Sequence, residues 1–123
     1  MAARRLVIAV NVVYGVALLI LGLIPSVPST AASIPDHVAH AGAYALQSVL
    51  LYLLFLSSGG RERAAVLAIA VSVLYGGCVE MLQSLQSART VEVADLIANA
   101  VGATAASAFL YLATGTQRTG IRR

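Results

Sequence analysis

Residues 64–82 read AAVLAIAVSVLYGGCVEML, an apolar run whose one charge, Glu80, stands almost at its end. A helix of about 20 such residues crosses the roughly 30 Å of hydrocarbon in a bilayer. Its small residues recur at every fourth position, Ala64, Ala68, Ser72 and Gly76, and the next member of that series is Glu80. Residues four apart share a helix face, and small residues on one face let helices in lipid approach closely. The stretch reads as a membrane helix whose packing stripe leads to a carboxylate.

Three more stretches of this length flank it, Leu6 to Ile24, Val38 to Leu56 and Val93 to Leu112, joined by short polar connections. The whole chain of 123 residues is 59% hydrophobic and 11% charged, with a mean hydropathy of +0.88. That composition excludes an ordinary soluble domain and a disordered chain, and its natural partner is the lipid bilayer. Cys78 is the one cysteine, so no intrachain disulfide forms and a disulfide-stapled secreted fold is excluded. Eight arginines, with no lysine, face five acids. They form no continuous basic patch, which argues against nucleic acid as a partner. Arg4 and Arg5 before the first run, with Ser29-Thr30-Ala31 after it, have the look of a signal peptide. The run is longer than the roughly 7 to 15 apolar residues of such signals, and it reads as a first span.

The expected fold is therefore all-α: a single domain over residues 1–123, an integral membrane bundle of four antiparallel transmembrane helices. Its orientation follows from the arginines, because positive charge is retained on the cytoplasmic side. Arg4, Arg5, Arg61, Arg63, Arg118, Arg122 and Arg123 fall on one side of a four-span chain and Arg89 alone on the other. Both termini and the glycine-bearing turn Ser57 to Arg63 are thus expected in the cytoplasm of a multi-pass protein of the cell membrane, and the loops Pro25 to His37 and Gln83 to Glu92 outside.

Polar residues recur on the same period. Span two carries Asp36, His40, Tyr44 and Ser48 four apart, and span four carries Asp95, Asn99, Ala103 and Ser107 beside the small series Ala94, Ala98, Gly102 and Ala106. Span one offers only Asn11 and Tyr14 and reads as a scaffold. An ionisable group facing hydrocarbon costs at least about 2.5 kcal/mol at a helix centre, so His40, Glu80 and Asp95 are expected to face one another or water. Asp36 and His40 begin span two, Glu80 and Gln83 end span three, and Asp95 begins span four. All would lie at the outer end, within roughly 10 Å of the surface, around one outward-facing polar cavity.

Taken in order, these residues resemble the VanZ-like family of small membrane proteins. Its pattern is an Asp, a His four on and a Tyr four further, then Glu-x-x-Gln, an Arg, and Asp-x-x-x-Asn before a glycine-bearing helix. Here it is met by Asp36, His40 and Tyr44, by Glu80 and Gln83, by Arg89, and by Asp95 and Asn99 before Gly102. The match runs from about Ile34 to Ser107. His37 stands where the family often has Lys, Ala41 where it often has an aromatic, and Ser87-Ala88-Arg89 where a Pro-Gly-Arg turn is common. The resemblance implies the four-span fold and this polar site, with an association to resistance against the lipoglycopeptide teicoplanin.

Several readings of the set stay open at this level. Asp36 opens a helix and suits capping its free amides as well as lining a site. Glu92 and Asp95 suit the positive end of a helix dipole. Tyr44 suits a membrane-interface aromatic, and Cys78 a small core residue. If the cavity is catalytic, His40, Glu80 and Asp95 are the candidate acids and bases of a hydrolase or transferase acting on a phosphate or ester, with Asp36, Tyr44, Gln83, Arg89 and Asn99 binding the ligand. A divalent cation, Mg²⁺ or Zn²⁺, would sit among Asp36, His40, Glu80 and Asp95. The ligand would be a lipid headgroup, a cell-wall precursor or a lipoglycopeptide. The contrary reading is a non-catalytic scaffold or binding module in which Glu80, Arg89 and Asp95 form a structural ion-pair network. Small-residue stripes leave homo-oligomers open.

Overall fold

The computed structural model describes residues 1–24, 34–86 and 91–116. They form four helices: α1 (Ala2–Leu23), α2 (Asp36–Gly59), α3 (Arg61–Ser84) and α4 (Val93–Thr116). Each is long and apolar enough to cross a membrane. At 1.5 Å per residue they reach roughly 33–36 Å, more than the hydrocarbon thickness. Every expected span falls inside a helix except Ile24, which lies just past α1. The helices outrun the apolar runs because flanking polar residues, Asp36 and His37 before span two and Arg61 to Arg63 before span three, continue them.

The turn expected over Ser57 to Arg63 is smaller than the sequence suggested. α2 runs on through Ser57–Gly59, and the chain reverses at Gly60 alone, with φ 78° and ψ 166°. Only glycine adopts that conformation without strain. The Gly60 carbonyl then accepts the amide of Ala64 at 3.0 Å and starts α3. At the other end of α2, Pro35 precedes the first helical residue and its carbonyl accepts the amides of Val38 and Ala39. Asp36 is the first residue of the helix, and no side-chain cap bond forms at this end. The capping role open to Asp36 is therefore not the one it takes.

α2, α3 and α4 pack against one another, and α1 lies on α2 and α3 without reaching α4. The stripe on α3 is buried along its whole length, from Ala64 through Ala68, Ser72 and Gly76 to Glu80. Leu51 and Tyr52 of α2 fill the space beside Ala64, Ala65 and Ala68. On α4 the polar series faces inward, with Asp95, Asn99, Ala103 and Ser107 buried, while Ala94 is exposed. Polar groups join these helices: the Ser48 hydroxyl donates to the Ala103 carbonyl at 2.9 Å and pairs with the Ser107 hydroxyl at 2.7 Å. Tyr52 and Thr114 pair through their hydroxyls at 2.8 Å. Large apolar residues such as Val12, Leu74, Phe109 and Leu112 point outward, as a lipid-facing surface requires.

α1 has no buried residue. It is fastened through backbone carbonyls: Asn11 donates to Leu50 at 3.1 Å, Tyr14 to Ala43 at 2.8 Å, Tyr75 to Gly15, Gln83 to Gly22, and Gln86 to Leu23 at 3.0 Å. Cys78 is exposed and not in the core. Two positions past Gly76 on a helix, it lies about 200° around from the packing stripe.

Candidate functional site

The start of α2, the end of α3 and the start of α4 meet at one end of the bundle, because His40, Glu80 and Asp95 come together there. The end of α1 closes the fourth side. Between them lies a cavity of about 460 Å³. Four of the chain's five acids line it, Asp36, Glu80, Glu92 and Asp95. Its wall on α1 is apolar, formed by Leu18 and Leu21 with Gly22. A second cavity, of about 390 Å³, lies at the opposite end among Arg4, Leu54, Phe55 and Arg63.

His40 is the hub of the polar wall. Its Nδ1 lies 3.1 Å from Asn99 Oδ1 and 3.6 Å from Glu80 Oε1, and its Nε2 lies 3.8 Å from Asp95 Oδ2. The ring is a quarter exposed towards the cavity, whereas the Glu80 side chain is 5% exposed. Asn99 is fully buried, and its Nδ2 has no hydrogen-bond partner among the described residues. Tyr44 is buried too, with its ring stacked 6.4 Å from that of His40. It belongs to the interior and not to the membrane interface. Gly76 makes room for this pair, since a Cβ there would stand 2.8 Å from Asn99 Nδ2 and 3.0 Å from Tyr44 Cε1.

The i, i+4 spacing of the sequence accounts for most of this assembly. His40 and Tyr44 stack one turn apart on α2; Gly76 and Glu80 do the same on α3, and Asp95 and Asn99 on α4. Gln83 lines the cavity and also donates to the Gly22 carbonyl, so it ties α1 to the site. Asp36 lies on the cavity wall and is exposed. Arg89 lies outside the described residues. One ligand atom each from His40, Glu80 and Asp95 lies within 4.8 Å of the others, so among the described residues these three could hold a metal ion together, and Asp36, expected with them, is not part of that group.

Lining residues outside the candidates read from the sequence include Glu92, Leu18 and Leu21. Glu92, read there as a helix-dipole acid, lines the cavity while its carbonyl accepts the amides of Asp95 and Leu96. The spacing of Glu92 and Asp95, one helical turn, was the available signal. Leu18 and Leu21 belong to a helix that reads as scaffold; the available signal was that they continue the face of Asn11, Tyr14 and Gly15 at helical spacing.

A profile of the VanZ/LLP1 family matches residues 11–114, which takes in all of these positions. A Schizosaccharomyces pombe protein, uncharacterized protein C11E3.10, is 33% identical over 102 residues, covering 82% of this chain and 60% of the yeast protein. The chain thus spans about 60% of the length of that relative. No solved structure matches it.

Proposed function

The chain belongs to the VanZ/LLP1 family, and we propose that it is a multi-pass membrane protein that holds the polar headgroup of an envelope amphiphile in its cavity. The observation that carries this reading is the two-sided wall. Leu18, Leu21 and Val79 offer an apolar flank, while Asp36, His40, Glu80 and Asp95 form a polar one. An amphiphile has the same two sides. Its head would meet the polar wall, and its chain would leave along α1 into the bilayer. Lipid headgroups, lipid-linked cell-wall precursors and lipoglycopeptides all share that form.

In this reading the helices run antiparallel in sequence order, both termini are cytoplasmic, and the cavity opens outward. Support comes from the charges. Arg4 and Arg63 lie around the cavity at the end opposite His40, Glu80 and Asp95, and arginines are retained on the cytoplasmic side.

The test is native mass spectrometry of protein released from its membrane in mild detergent, with Ala39→Trp beside the wild type. Ala39 lines the cavity and is exposed, so an indole there fills space without entering the packed interior. The wild type is expected to retain one amphiphile per chain and the variant to lose it at unchanged stability. Equal retention by both would place the amphiphile elsewhere and end this reading.

A further inference from the structure

We propose that His40, Glu80 and Asp95 form a binding site for a divalent metal ion, with zinc the ion best suited to the donors, and that Asn99 sets the ring orientation this site needs. The inference deepens the headgroup reading and concerns the same cavity, but it stands on different observations.

The first is the direction of the two ring nitrogens. His40 Nδ1 faces two oxygens, Asn99 Oδ1 at 3.1 Å and Glu80 Oε1 at 3.6 Å. The tautomer that fits both oxygens has the hydrogen on Nδ1, donated to Asn99 Oδ1. In the neutral ring that leaves a lone pair on Nε2, which faces Asp95 Oδ2 at 3.8 Å. Nε2 and the Asp95 carboxylate thus face each other across a gap that one ion would bridge, at the edge of the cavity.

The second observation is Asn99 itself. Its side chain is buried on α4, with Nδ2 against Gly76 and without a hydrogen-bond partner among the described residues. An unpaired amide in the interior of a bundle is costly. What the residue does accomplish is to hold His40 Nδ1–H, the outer hydrogen bond that metal-binding histidines almost always make and that turns the other nitrogen to the ion.

The third is the donor set and its surroundings. One imidazole and two carboxylates suit zinc, and three protein ligands leave a position open. Ligand atoms around zinc at 2.0–2.2 Å lie about 3.4 Å apart. The three candidate atoms lie within 4.8 Å of one another; Asp95 already faces Nε2, and Glu80, whose Oε1 lies 3.6 Å from Nδ1, turns towards the Nε2 edge of the ring to reach the ion. Asp36 and Glu92 add negative charge around the same cavity, and no arginine among the described residues lines it. An acidic pocket repels a phosphate. A divalent ion at its base offsets two of the four carboxylate charges and offers one coordination position, so the heads favoured are those with an oxygen donor that reaches the ion directly, a phosphate ester included.

The experiment uses the full chain in detergent with His37→Ala and Cys78→Ser introduced. That leaves His40 as the one histidine and removes the one cysteine, so neither of the other two soft donors contributes. Zn²⁺ uptake is measured by native mass spectrometry and titration, and Co²⁺ is added as a spectroscopic probe through its visible absorption. One ion per chain is expected, with affinity falling at least 100-fold in Glu80→Gln and Asp95→Asn and 10- to 100-fold in Asn99→Ala. The absorption of bound Co²⁺ should change in Asn99→Ala, which a merely structural role would not produce. Absence of uptake by the parent protein, or uptake unaffected by all three substitutions, overturns the metal site. Retained lipid in the same spectra separates the two readings. Lipid kept after chelation by a protein that takes up no zinc ends the metal proposal alone. Zinc bound with no lipid in any preparation ends the headgroup reading alone.

Discussion

Gly102 of α4 lies against the backbone of Ala41 of α2, so close that a Cβ on Gly102 would stand 2.1 Å from the Ala41 carbonyl oxygen. The atom in the way is backbone, which cannot swing aside. This contact sits between His40 and Tyr44 on one helix and beside Asn99 on the other, and it sets how closely α2 and α4 approach at the site.

Gly102→Ala should therefore destabilise the bundle by about 1–3 kcal/mol, the usual cost of overpacking a closed contact. Gly77→Ala is the matched comparison, since nothing lies within 4 Å of a Cβ there. In mid-helix it should be neutral or stabilising by up to about 1 kcal/mol. Thermal unfolding of both in one detergent checks the contrast. Equal melting temperatures would mean that α2 and α4 do not meet at Gly102.

Gly76→Ala should separate function from stability. The added methyl meets the ends of two side chains, Asn99 Nδ2 at 2.8 Å and Tyr44 Cε1 at 3.0 Å. Side-chain ends move more easily than backbone, so the fold should lose no more than about 1–3 kcal/mol. Asn99 holds His40 Nδ1 through its Oδ1 and the Tyr44 ring stacks towards the imidazole, however, so moving both should cost the ring its orientation. The expected result is a folded protein whose ligand retention drops well below that of the wild type, measured by native mass spectrometry beside a melting curve. A variant that melts normally and binds normally would show that Asn99 does not position His40.

Glu80→Gln distinguishes a site from a scaffold. Glu80 is 4% exposed and lies 3.6 Å from His40 Nδ1. Burying a carboxylate costs several kcal/mol before its partners compensate. If the cluster exists to bind a ligand, the neutral isostere relieves that cost, and melting temperature should hold or rise while retention is lost. If the cluster exists to hold the helices together, breaking it should cost about 3–5 kcal/mol.

The spans and the polar set were legible because two periodicities coincide. Apolar runs give the four helices, and residues four apart on α2, α3 and α4 place His40, Glu80 and Asp95 at one level. The legible part is thinnest on α1, where Asn11, Tyr14, Gly15 and Gly22 mark the face that packs but no charge on it points to the cavity, so Leu18 and Leu21 do not stand out as lining it. The same lack of contrast applies to Cys78, which is compatible with lipid and with core and faces outward, whereas Tyr44 lies inward with the polar series it belongs to and not at the membrane interface. Gly60 escaped for another reason. A single residue with positive φ can end one helix and start the next, so a run of four turn-forming residues, Ser57 to Gly60, was more loop than the chain needs.

Cys78 gives a direct reading of the surroundings of α3, because it is the one cysteine and is exposed. It lies six residues before the end of α3 at Ser84, about 9 Å along the helix from the outer end in the proposed orientation. A nitroxide attached there should face acyl chains some way below the headgroups. In liposomes, oxygen, which concentrates in hydrocarbon, should relax the label strongly, and a water-soluble nickel chelate should relax it weakly. A label at Glu92, exposed at the mouth of the cavity, should show the reverse. Strong relaxation of the Cys78 label by the chelate would put this face of α3 in water, and the bilayer would then have to lie along a different surface of the bundle.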